Sequence, residues 1–195
     1  MGVTRAMEAL DRANVEAAAP VASRPDVGGR VALRPVAQSD REFLYRLYAT
    51  TRADELAVVE WDEAQKETFL RQQFEAQDTH YRRYYPDASF DVVLVDGLPA
   101  GRLYVDRWAE EVRIMDIALL PEHRRQGVGS FLLRRVMDEA AGSGRKVSIH
   151  VEMFNPALEL YARLGFVRVA DRGVYHLMEW SGRRADATAH NDREG

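Results

Sequence analysis

Cysteine is absent from all 195 residues. That removes disulfides, thiolate metal sites and a cysteine nucleophile together. No apolar run approaches the roughly 20 residues that a membrane-spanning helix needs, so no membrane partner is expected. Basic residues are not in excess: 27 Lys and Arg stand against 31 Asp and Glu, a formal charge of −4, which argues against a nucleic-acid binder with a basic face. The first residues lack the apolar core of a secretory signal, so a cytoplasmic location is expected. What remains is ordinary for a globular chain, 46% hydrophobic and 30% charged, with length enough for one domain and a real core.

Three regions are expected. Residues 1–29 are rich in alanine and small or polar side chains and broken by Pro20, Pro25 and Gly28, and read as a mobile leader. Residues 181–195 hold no bulky apolar side chain and read as a disordered tail. Residues 30–180 alternate between the two hydrophobic periods. Residues 31–34 read as a strand stopped by Pro35, and Ser39 to Glu42 as a capping box before a helix with Phe43, Leu44 and Leu47 on its apolar stripe. A second helix starts at Asp62, with Gln65 three residues on, and an aromatic, basic stretch from His80 to Pro86 follows it. Residues 90–95 and 100–105 around Asp96-Gly97 form a hairpin. Strands at 112–119 and 146–153 enclose a helix at 127–141. Asn155-Pro156 opens a further helix that Gly165 ends, and strands at 166–169 and 174–178 close the order β-α-α-β-β-β-α-β-α-β-β, a mixed α/β sheet.

The most informative segment is Ile117 to Ser130. An apolar run ends at Pro121, Arg124 and Arg125 follow, and Gly127-Val128-Gly129 opens an amphipathic helix. Tight glycine turns, unpaired first-turn N–H groups, a positive dipole end and two guanidiniums make an anion cradle fit for a phosphate or pyrophosphate. A third glycine of the dinucleotide fingerprint is missing, and no Gly-Lys-Ser/Thr follows, so neither the dinucleotide nor the phosphate-loop pattern is met.

Arg124-Arg125-Gln126-Gly127-Val128-Gly129 resembles the Arg/Gln-x-x-Gly-x-Gly/Ala motif of the GNAT N-acetyltransferase superfamily. Asn155 to Phe166 resembles its second signature, in the expected order and on the expected element. The resemblance covers about residues 31–180. It implies a GNAT-like fold, a central mostly antiparallel sheet splayed between two parallel strands and flanked by about four helices. It implies acetyl-CoA as co-substrate, with no metal. The pyrophosphate would lie on the amides of Arg125, Gln126, Gly127, Val128, Gly129 and Ser130 beside Arg124, and the pantetheine along the edge of Ile117, Ala118 and Leu119, in the manner of an added strand. Asn155 matches a residue that contacts CoA, and is equally a helix N-cap.

Amide formation from a thioester needs a neutral amine and a proton for the leaving thiolate, and no protein nucleophile. By motif position Tyr161 is the acid. The base stays open. Asp116 is a carboxylate in an otherwise apolar strand, and Glu111 begins the same strand. Strand alternation points the two to opposite faces unless a bulge intervenes, and a bulge is typical of this strand in the family. His123 and His150 are further candidates. Arg52, Asp54, Glu55 and Trp61, with Tyr81, Tyr84 and Tyr85, would give an acidic and aromatic pocket for the amine of a small molecule or peptide. Dimers are common in the family. The alternative on the same fold is a catalytically silent CoA-binding sensor or interaction module.

Overall fold

The computed structural model describes residues 29–182. The leader and tail expectations therefore lie outside the described residues, apart from Gly29 and Ser181-Gly182. Strands β1 (Val31–Pro35), β2 (Ser89–Val95), β3 (Leu98–Arg107), β4 (Glu111–Leu119), β5 (Lys146–Glu152), β6 (Val167–Arg172) and β7 (Tyr175–Trp180) alternate with helices α1 (Arg41–Thr51), α2 (Ala53–Ala57), α3 (Glu63–Tyr84), α4 (Val128–Gly142) and α5 (Leu158–Arg163). The strands form one seven-stranded sheet in the order β1-β2-β3-β4-β5-β7-β6. All neighbours are antiparallel except β4 and β5. The expected mixed α/β fold, splayed at one parallel pair, is the fold found, with five helices rather than four because the short α2 intervenes.

Local chemistry sets most of the boundaries. Asp96 and Gly97, at φ +50° and +80°, make the left-handed pair that a two-residue hairpin turn requires. Asp62 and Gln65 exchange side-chain to backbone bonds of 2.8 and 3.0 Å at the start of α3, the expected capping box. Gly165, at φ +92°, ends α5, and the Phe166 N–H reaches back to the Tyr161 carbonyl at 3.0 Å, the Schellman closure.

Three sequence expectations need correction. The capping box at Ser39 does not form: Asp40 instead accepts two bonds from Arg34, at 2.6 and 2.7 Å, and one from the Ala37 N–H, because an ion pair outweighs a cap. The aromatic stretch 80–84 is not a connection but the last turn of α3. Helix α5 begins at Leu158, not at Pro156, since Asn155 Oδ1 turns inward to accept the Ala157 N–H at 2.9 Å.

The main core lies on one sheet face, where Leu132, Leu133 and Val136 of α4 pack on Val105, Val112 and Val147. On the other face α1 and α3 cover the first strands, with Phe74 between Tyr45 and Tyr48 and Tyr81, Tyr85 and Tyr104 stacked edge to face. Among the described residues no helix is long and apolar enough to cross a membrane.

Candidate active site

The site begins with a break in the sheet. β4 and β5 pair only from Glu111↔Lys146 to Ile114↔Ile149. Beyond that point Met115 is an extra residue on β4: Val105 faces Ile114 and Tyr104 already faces Asp116. This bulge shifts the alternation by one. Val112 and Ile114 face the main core before it, and Ile117 and Leu119 pack on that core after it. Glu111 and Asp116 consequently share the opposite face, the question that counting along the strand leaves open.

Where the strands part, a cleft of about 300 Å³ opens. On the β4 side Asp116, Ile117 and Ala118 line it, and on the β5 side His150, Val151 and Glu152. Tyr161 and Asn155 reach it from the α5 region. Tyr161 is 4% exposed and its ring meets Phe166 edge-on. Burial first, then the Asp116 charge, pushes its hydroxyl well above its ordinary pKa, so it stays protonated and holds a proton to donate at neutral pH.

Asp116 is held by a buried guanidinium. Arg102, 3% exposed, donates from Nε and Nη2 to the two carboxylate oxygens at 3.1 and 2.7 Å, and also to Gln77 at 3.0 Å. Tyr81, its hydroxyl raised by burial and by Asp116, lies 3.5 Å from the same carboxylate. Glu111 stands elsewhere. It occupies the closed end of the β4–β5 pair, does not line the cleft, and is engaged by Ser148 at 2.8 Å, Arg113 at 3.2 Å and Lys146 at 3.4 Å. Those bonds use its carboxylate to close the wedge. His123 sits in the exit turn from β4 and does not line the cleft, whereas His150 does.

At the other end of β4 lies the cradle. Gly127 caps α4 at φ +83° with no side chain over the helix end, and a Cβ there would meet open space. Arg125 is also left-handed, at φ +56°, unusual for a non-glycine residue. The turn therefore points a run of backbone N–H groups outward ahead of the helix. Arg124 is not a free cation: its Nε donates to the Leu119 carbonyl at 2.8 Å and its Nη2 to Thr50 at 3.1 Å, tying β4 to α1. Gln126 braces the turn through the Glu122 carbonyl. Gly129 lies against Leu160 and Leu119, so α4 sits close to α5 and to the end of β4.

The expected acidic and aromatic pocket is only half realised. Arg52, Tyr81 and Tyr85 line the cleft; Asp54, Glu55, Trp61 and Tyr84 do not. Glu55 is drawn back to Arg52 at 2.7 Å, while Trp61 packs on Phe69 and Tyr84 on His80. Sequence reasoning passed over Arg102, Arg172 and Tyr175. Arg102 carried a signal, a lone charge inside an apolar strand. The other two become part of the cleft only through the β6–β7 hairpin, which local spacing does not reveal.

A model of the acetyltransferase (GNAT) family matches residues 42–166. Among solved structures, a PaiA N-acetyltransferase from Thermoplasma acidophilum in complex with coenzyme A is similar, with a TM-score of 0.59 and 18% identity over 77% of this chain and 98% of that one. Ard1 from Thermoplasma volcanium has a TM-score of 0.54 and 24% identity over 77% and 97%. Naa50 from Arabidopsis thaliana, in complex with the bisubstrate analogue CoA-Ac-MVNAL, has a TM-score of 0.51 and 17% identity over 78% and 99%.

Proposed function

Because the chain belongs to the acetyltransferase (GNAT) family, we propose that it moves an acetyl group from acetyl-CoA to the primary amine of a small molecule or peptide, in a ternary complex. The observation that carries this reading is the parting of β4 and β5 past Ile114 and Ile149, with an anion cradle at one end and a protonated, cleft-lining tyrosine beside the gap.

In this reading the amides of Arg125, Gln126, Gly127, Val128, Gly129 and Ser130 hold the pyrophosphate, helped by the α4 dipole. Ile117 and Ala118 offer the unpaired edge of β4 to the pantetheine amides. Leu119 borders the same edge, its carbonyl already taken by Arg124. Asn155 shapes the turn that brings α5 to the cleft. The amine nitrogen attacks the thioester carbonyl, the C–S bond breaks, and Tyr161 gives its proton to the departing thiolate. Asp116, fixed on both oxygens by Arg102, orders the water that takes the proton of the amine. Glu111 keeps the closed end of the wedge in register and does not act on the substrate.

The test is an acetyl-CoA consumption screen with the full-length protein against amines, peptides and aminoglycosides, following release of the CoA thiol. Turnover of at least one amine is expected. CoA binding with no turnover across the panel would replace this reading with that of a silent CoA-binding module. No cluster of metal-ligating side chains occurs among the described residues, and the transfer as written requires none.

A further inference from the structure

The acceptor side of the cleft is richer in guanidinium than an amine-binding pocket needs. Arg52, Arg102, Arg113 and Arg172 line it, against Asp116 and Glu152. Three of the four are tied to carboxylates. Arg102 holds Asp116, Arg113 reaches Glu111, and Arg52 bonds Glu55 at 2.7 Å and Glu152 at 3.2 Å. Arg172 differs. It lines the cleft, and among the described residues its side chain makes no ion pair or hydrogen bond.

The register sets this exposed cation at the rim of the cleft. Arg172 lies opposite Tyr175 across the β6–β7 hairpin, and Tyr175 lies opposite Glu152 on β5. The three form one cross-strand row, spanning two strand spacings of about 4.8 Å each, at the open end of the β4–β5 gap. A guanidinium on a side chain this long reaches back over that row. Arg52, from the end of α1, closes the row from the other side through Glu152.

Resting on the acetyl-transfer reading, the geometry points to an acceptor that carries a carboxylate as well as its primary amine: a small amino-acid-like zwitterion, its carboxylate taken by Arg172 and its amine turned toward Asp116 and Tyr161. A fork of N–H donors matches a carboxylate in two-point fashion. A polyamine would instead set like charges against Arg172 and Arg52, and a neutral monoamine would leave Arg172 unused.

The experiment compares free amino acids, α- and ω-, with the same compounds carrying an amide in place of the carboxylate. Turnover of the full-length protein is read as CoA thiol release, and binding by calorimetric titration into the CoA-saturated protein. Amino acids should have kcat/KM at least tenfold above their amides. Arg172→Gln should shrink that ratio below threefold, chiefly by raising KM for the amino acid, with the CoA titration serving as the check on folding. Amides turned over as well as acids would overturn the carboxylate site and leave the acetyl-transfer reading standing. Amino acids that bind in the Arg172-dependent manner but are never acetylated would keep the site and overturn the transfer.

Discussion

The cradle at Arg124 to Ser130 and the cleft behind β4 are built in opposite ways. The proposed cradle is seven consecutive residues that would work through backbone N–H groups, with two left-handed residues and a helix end without a side-chain cap. The cleft draws side chains from α1, α3, five strands of the sheet and the α5 region, and its ion pairs span up to 100 positions, as between Arg52 and Glu152. In the proposed reading the cradle offers its backbone donors to a pyrophosphate at the surface. The cleft pairs most of its charges internally, as Arg102 with Asp116 and Arg52 with Glu152. A grip on a common anion can be local and tolerant of its surroundings. A grip on one acceptor must be assembled by the fold.

The sharpest way to break the cradle is Gly127→Glu. It forces a side chain into a left-handed position, at a cost of about 1–2 kcal/mol, and sets a negative charge where the pyrophosphate is proposed to lie. CoA binding should be lost from calorimetric titration while the melting curve persists; unchanged affinity would remove the cradle from the argument. The matching break in the cleft is Arg102→Met. It leaves the half-buried Asp116 without its cation and should lower unfolding stability by about 2–4 kcal/mol. Denaturant titration reads this, and a loss below about 1 kcal/mol would mean that Asp116 finds another partner.

Tyr161→Phe separates the two regions by function. It should lower kcat by at least about a hundredfold while leaving the KM for acetyl-CoA within a few-fold, and equal turnover would rule out Tyr161 as the acid. Because burial and Asp116 raise its pKa above the ordinary value, any alkaline loss of kcat in the wild type below about pH 10 must come from another group.

The smallest effect concerns the support under the cradle helix. Asp91 is buried, and burial raises its pKa to about 6, opposed by the Arg135 charge on α4. The folded state thus holds the Asp91 proton more tightly than the unfolded chain does. Its contribution is fully present below pH 3.8 and is lost as pH rises through about 6, a change of at most about 3 kcal/mol. Asp91→Asn should flatten the fall in melting temperature between pH 4 and 7; an unchanged slope would assign that fall to other groups.

The sequence by itself determined the parts whose physics is short-ranged. The periods of 2 and 3.6, the Asp96-Gly97 turn, the Asp62–Gln65 cap, the Gly165 stop and the cradle each depend on residues a few positions apart, and all are legible there. The order of elements in a mixed sheet followed from them, while the splay between two parallel strands came from the resemblance of Arg124–Gly129 and Asn155–Phe166 to the GNAT motifs. Only the tertiary structure decided the rest. The bulge at Met115 set the faces of Glu111 and Asp116, because an extra residue is defined by the partner strand and not by the strand that carries it. Arg102 met Asp116 across the β3–β4 pair, and Arg172 joined the cleft through the β6–β7 hairpin. Contacts such as these are set by register and packing over long separations, which local spacing does not encode.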